Sequence, residues 1–79
     1  MATEIKERVD VVAVFAGGVE PIRFKWKGRV YPVSEITYRW KTTRGATTIM
    51  HFSVTDGGTL FELAFDTEFM RWSLERVEA

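Results

Sequence analysis

The sequence predicts an all-β domain: a small antiparallel meander of about six strands, barrel-like or an orthogonal sandwich, with a bend near Ser34-Glu35. Three observations predict it. Turn signals recur roughly every ten residues along the 79-residue chain. The stretches between them have strand length and are rich in β-branched and aromatic side chains. No window spaces its apolar residues at a helical period.

The turn signals are Gly17-Gly18, Lys27-Gly28, Thr43-Arg44-Gly45, Asp56-Gly57-Gly58 and Asp66-Thr67-Glu68. Each can be tested by asking whether it brings apolar faces together, because side chains alternate along a strand. The first strand, Val9 to Ala16, is apolar on both faces. That suits a strand covered on both sides, a strand closing a barrel, or an edge that recruits a partner. Residues 1–8 read as a frayed strand end or one helical turn. A two-residue turn at Lys27-Gly28 pairs Trp26 with Arg29, Phe24 with Tyr31 and Ile22 with Val33, and places Arg23 and Lys25 on the other face. A three-residue loop at Thr43-Arg44-Gly45, with Gly45 left-handed, pairs Trp40 with Thr48, Tyr38 with Met50 and Ile36 with Phe52. Tyr31 and Val33 are then inward at odd positions while Ile36, Tyr38 and Trp40 are inward at even ones. The phase must slip near Ser34-Glu35, as at a corner where a strand passes between sheets. A two-residue turn at Asp56-Gly57 sets Phe52 against Phe61, and the last turn sets Phe65 against Met70 and Leu63 against Trp72. The expected core is Phe24, Trp26, Tyr31, Val33, Ile36, Tyr38, Met50, Phe52, Phe61, Leu63, Phe65, Trp72 and Leu74.

Composition supports one globular domain over residues 1–79: 46% of residues are hydrophobic and 14% aromatic, too many for a disordered chain. There is no Cys, hence no disulfide framework and no thiolate zinc site. The charged start, MATEIKERVD, and the absence of any long apolar run argue against a signal peptide or membrane helix. A cytoplasmic location is expected.

The chemistry is sparse. The single histidine, His51, falls on the outer face with Glu62 across from it. Such a pair can act as an acid–base unit, but no nucleophile is tied to it, and it reads as an ordinary cross-strand polar pair. One His without Cys needs three carboxylates to hold zinc, and no phosphate-loop pattern follows the glycines. We expect no enzyme, no metal and no cofactor.

The charge distribution is uneven. Between Pro21 and Gly45 lie seven bases and one acid, Glu35, against a formal net charge of zero for the whole chain. The bases are Arg23, Lys25, Lys27, Arg29, Arg39, Lys41 and Arg44, with Arg39 and Lys41 expected outward on their strand. With Trp40 at a rim, they form a candidate surface for nucleic acid or a protein partner. Small β-barrels hold single strands by such a mixture of bases and aromatic rings.

The segment Pro21 to Val33, PIRFKWKGRVYPV, resembles a family of small bacterial domains of unknown function with an RFxWRGRxYxV core, a later strand-end tryptophan and a closing FDxxxxxWxLxRV-like segment. Here the matching residues are Arg23-Phe24, Trp26, Gly28-Arg29, Tyr31, Val33, Trp40, Phe65-Asp66, Trp72, Leu74, Arg76 and Val77, with Lys27 where Arg is commoner. Similar segments end some Y-family polymerase-like proteins of mutagenic DNA repair. The resemblance implies a repair or replication setting and no defined activity.

Two functional readings follow. One is a non-catalytic interaction domain docking a repair or replication protein. The other is a module for single-stranded DNA or RNA using the 21–45 surface. Their discriminant is spatial: one contiguous basic patch beside an exposed ring favours nucleic acid.

Overall fold

The computed structural model describes residues 2–78 and is all-β, with eight strands in two antiparallel sheets. The strands are β1 (Ala2–Arg8), β2 (Asp10–Val14), β3 (Glu20–Trp26), β4 (Arg29–Pro32), β5 (Glu35–Arg44), β6 (Thr47–Thr55), β7 (Leu60–Asp66) and β8 (Arg71–Glu78). The larger sheet has the order β1-β8-β7-β6-β5 and the smaller β2-β3-β4.

The count exceeds six because two long strands bend across a corner and divide. At Val9 the chain leaves the larger sheet for the smaller; Val9 is buried and its N–H donates to the Trp72 carbonyl at 3.2 Å. At Val33-Ser34 the chain returns. The Val33 N–H donates to Ile22 O at 2.9 Å, and the next N–H, of Ser34, donates to Thr55 O at 2.8 Å. Adjacent amides thus serve different sheets, which is the corner expected near Ser34-Glu35. The ladders break at both corners, so the domain is a sandwich and not a closed barrel. Residues 2–8, expected as frayed or helical, form edge strand β1 against β8, with a bulge between Glu4 and Glu7 where Lys6 has φ 55°. Met1 lies outside the described residues.

The first hairpin has the expected register: Trp26 pairs with Arg29 and Phe24 with Tyr31. Lys27 and Gly28 have φ 53° and 74°, the paired positive values of a type I′ turn, whose twist matches that of the strands. The β6–β7 and β7–β8 connections are longer than expected. Val54, not Phe52, faces Phe61, and Phe65, not Leu63, faces Trp72. Each register is displaced by two residues. A two-residue slip preserves every side chain's face, so the inward set survives: Phe52, Phe61, Leu63, Phe65, Trp72 and Leu74 are all buried.

The β5–β6 hairpin departs further. Arg44 pairs with Thr47, leaving a two-residue loop, Gly45-Ala46, in place of the expected three-residue one. Gly45 is left-handed as expected, at φ 62°, but as the first residue of a type II′-like turn. The odd displacement reverses the faces: Trp40 pairs with His51 and Tyr38 with Ser53, outside the sandwich. A bulge between Ile36 and Tyr38 leaves Ile36 alone of the three against the core. Tyr38, expected in the core, is 65% exposed.

The smaller sheet seals the inner face of the larger one through aromatic packing. The Phe24 ring meets Phe61 edge-on at 5.0 Å and stacks on Tyr31 at 5.3 Å, while Trp72 lies 4.7 Å from Phe65. Val9, Val19, Pro21 and Val54 complete the interior.

Candidate functional site

The seven bases of the 21–45 segment do not gather on one surface. Arg23 and Lys25 lie on the outer face of β3, opposite the buried Phe24. Lys27 sits in the turn with its ammonium 5.1 Å from the Trp26 ring centroid. Arg29 shares the Trp26 side of the hairpin, its guanidinium over Tyr31 at 5.5 Å.

Arg39 and Lys41, expected outward, pair with Phe52 and Met50 and so project on the inner side of β5. Arg39 is a clasp between the sheets. Its Nη1 donates to the Val19 carbonyl at 2.8 Å, its Nη2 lies 3.5 Å from Glu20 Oε1, and the guanidinium covers the Phe52 ring at 5.6 Å. Arg44 ends β5 on the opposite, outer face of the larger sheet. The reversed hairpin faces account for this dispersal.

Two outer faces are therefore distinct. On the smaller sheet the cross-strand pairs are Asp10, Lys25 and Val30 in one row and Val12, Arg23 and Pro32 in the next. Val12 is 48% exposed, Val30 56% and Val14 46%. On the central strand Arg23 rises between Val12 and Pro32, and Lys25 between Asp10 and Val30. A cleft of ≈ 230 Å³ opens there, lined by Val12, Val30, Arg23, Lys25 and Asp10. The sequence showed the first strand as apolar on both faces; that its outer face is bare was not readable without the strand order.

On the larger sheet the outer face carries a ring stack. Tyr38 stacks on Trp40 at 5.5 Å, and Trp40 on His51 at 4.9 Å with the rings 8° from parallel. Thr42 Oγ1 is 2.8 Å from His51 Nε2, and His51 Nδ1 is 3.5 Å from Glu62 Oε2. Glu62 pairs with Ser53, so it reaches His51 diagonally and not from directly opposite. The His–carboxylate contact exists, and the group against the other ring nitrogen is the Thr42 hydroxyl. Among the described residues no three His, Asp or Glu side chains converge in a way that could hold a metal.

The titration of Asp56 is displaced. Asp56 Oδ1 accepts the N–H of Gly58 at 3.0 Å and of Thr59 at 2.9 Å, closing the β6–β7 loop. These bonds, the Gly58 one foremost, hold its carboxyl below the ordinary value, and the charge of Arg29 adds to the effect. Among the described residues no helix is long and apolar enough to cross a membrane. No family model, curated protein or solved structure matches the chain.

Proposed function

We propose that this is a non-catalytic, cytoplasmic interaction module that docks a protein partner on the outer face of the three-stranded sheet. The observation that carries the reading is the bare valine face: Val12, Val14 and Val30 are about half exposed on one surface. Exposed valines scattered singly need no explanation, but a grouped set rimmed by charge is what interfaces present. Arg23 and Lys25 between them select a partner surface with carboxylates beside apolar side chains. The two flanking strands, β2 and β4, each leave one edge unpaired, so an extended segment of the partner can add main-chain hydrogen bonds. The resemblance at Pro21–Val33 points to repair or replication proteins as the source of the partner. The dispersed bases give the single-strand reading of the 21–45 segment no continuous surface.

The test is a photo-crosslinking residue at Val12 or Val30, with Ser53 on the opposite face as control, followed by titration of the purified captured protein. Crosslinks confined to positions 12 and 30 are expected, with an affinity lost about 100-fold or more in Val12→Asp/Val30→Asp, the effect of charging an apolar hot spot. Equal capture through Ser53, or an affinity that the double variant leaves intact, overturns the reading.

A further inference from the structure

On the larger sheet, three arginines distant in sequence converge. Arg8 ends β1, Arg44 ends β5 and Arg71 begins β8; all three line one cleft of ≈ 210 Å³ whose floor includes Ile49, Ala64 and Ser73. Cross-strand pairing explains the convergence. Trp40, His51, Ala64, Ser73 and Arg8 form one outward row across all five strands, and Thr42, Ile49, Asp66 and Arg71 form the next. Among the described residues none of the three guanidiniums is in an ion pair. Three acids stand nearby, with Asp66 in the lining itself, and each accepts hydrogen bonds from the protein; Glu75 takes the Ser73 hydroxyl at 2.6 Å. Asp66 Oδ1 accepts the N–H groups of Glu68 and Phe69 at 2.9 and 3.1 Å, and Glu68 accepts the Thr47 hydroxyl. Three planar forks outside any ion pair, against the single lining carboxylate of Asp66, leave the cleft net positive and suit a tetrahedral oxyanion, which each fork can engage in a bidentate manner.

The neighbourhood narrows the ligand. Ala64, in the cleft floor, is the direct cross-strand neighbour of His51, the inner member of the stack that continues through Trp40 to Tyr38. Ala64 and Ser73 are too small to fill the space over the sheet between that stack and Arg8. A planar group there gains aromatic contact while an attached phosphate meets the arginines. Farther along the face Glu4, Glu62 and Glu78 surround the single base Arg76, so a long polyanion lying across the whole sheet is repelled. The site suits one phosphate with one base.

We propose that the Arg8–Arg44–Arg71 cleft binds the terminal phosphate of a nucleotide, with the base directed toward the Tyr38–Trp40–His51 stack. The nucleotide can be free or the 5′-phosphorylated end of a strand, and the binding arms separate the two. Amide chemical shifts are followed during titration with inorganic phosphate, with a nucleoside monophosphate, and with short single strands bearing or lacking a 5′-phosphate. Shifts at Ile49, Ala64 and Ser73 are expected, with the nucleotide tighter than inorganic phosphate and the unphosphorylated strand weakest. Arg44→Gln and Arg71→Gln, both at exposed strand ends, should each weaken nucleotide binding about tenfold, as loss of one charge-assisted contact of about 1.4 kcal/mol implies. Arg23→Gln on the other sheet should leave it unchanged. An unphosphorylated strand that binds as well as the phosphorylated one overturns the terminal-phosphate assignment. Equal affinity for inorganic phosphate and nucleotide overturns the base assignment. Absence of shifts at millimolar ligand in a protein with a native spectrum overturns the site.

Discussion

The two sheets share one core but cover their outer faces differently. The five-stranded sheet dresses its exterior in ring stacking, hydroxyl contacts and a His–carboxylate pair. The three-stranded sheet leaves valines open to solvent beside two cations. The difference follows from strand number. In the larger sheet β6, β7 and β8 each have neighbours on both sides, so cross-strand pairs can cover a polar group from two directions. In the smaller sheet only β3 does. A face that cannot cover itself is a candidate for covering by another molecule, whereas the self-covered face can offer a pre-formed site. The first property suits a docking surface and the second a small ligand.

The comparison depends on the smaller sheet being part of one core and not a satellite. Phe24 on the smaller sheet and Phe52 on the larger are 2% and 1% exposed. Phe24→Ala and Phe52→Ala should therefore each destabilise by about 3–5 kcal/mol, read as shifts of the urea midpoint at constant slope. A shift for Phe24→Ala of only about 1 kcal/mol, against a full one for Phe52→Ala, would mean that the smaller sheet packs loosely and that its bare face reflects local disorder.

A smaller effect tests the joint between the sheets. Arg39 reaches from β5 to the carbonyl of Val19, a buried residue next to β3. Arg39→Ala removes that bond and the cover over Phe52, and should cost about 1–2 kcal/mol. Arg39→Lys keeps the charge but not the planar fork, and should recover only part of it. Lys41→Ala, two residues along, makes no such contact and should stay within about 0.5 kcal/mol of the wild type. Equal effects at the two positions would show that the clasp does nothing beyond surface charge.

Arg39 also shows where sequence reasoning ended. The turn at Lys27-Gly28 was legible because both faces of its hairpin agree and only one loop length satisfies them. The β6–β7 and β7–β8 registers were each displaced by two, yet the core residues were still identified, since a strand has a period of two. The β5–β6 hairpin failed because its premise, that Tyr38 and Trp40 belong inside, was false. Aromatic rings can be stabilised by stacking on a neighbour as well as by burial, and Trp40 found His51. A bulge at Thr37 then made Ile36 compatible with the core, and no local pattern announces a bulge. From that one reversal the outward row Arg39, Lys41 dissolved and Arg44 joined Arg8 and Arg71. Those two arginines lie outside the basic segment, so no count along the chain could have grouped them. The corner at Ser34, in contrast, was visible because the inward phase has to change there whichever way β5 faces.

The finest test concerns a place where charge from the smaller sheet affects a loop of the larger. Asp56 closes the β6–β7 loop by accepting two backbone N–H groups, and Arg29, at the start of β4, acts on the same carboxyl. Because its folded pKa lies below the unfolded value, ionised Asp56 favours the folded state. That contribution is fully present above the unfolded value, near pH 4, and is lost as pH falls through the folded value. Asp56→Ala should thus destabilise at pH 7 by about 1 kcal/mol, in the range of a lost turn-closing hydrogen bond. The gap from the wild type should narrow below about pH 4, where the wild-type carboxyl also becomes neutral. Asp56→Asn keeps an acceptor and should fall between the two at pH 7. Arg29→Gln should shift the wild-type acid limb slightly toward higher pH and do nothing in the Asp56→Ala background. Urea midpoints from pH 2.5 to 7 measure all four proteins. If Arg29→Gln acts equally with and without Asp56, the two groups are uncoupled, and the contact between sheets at this corner is only packing.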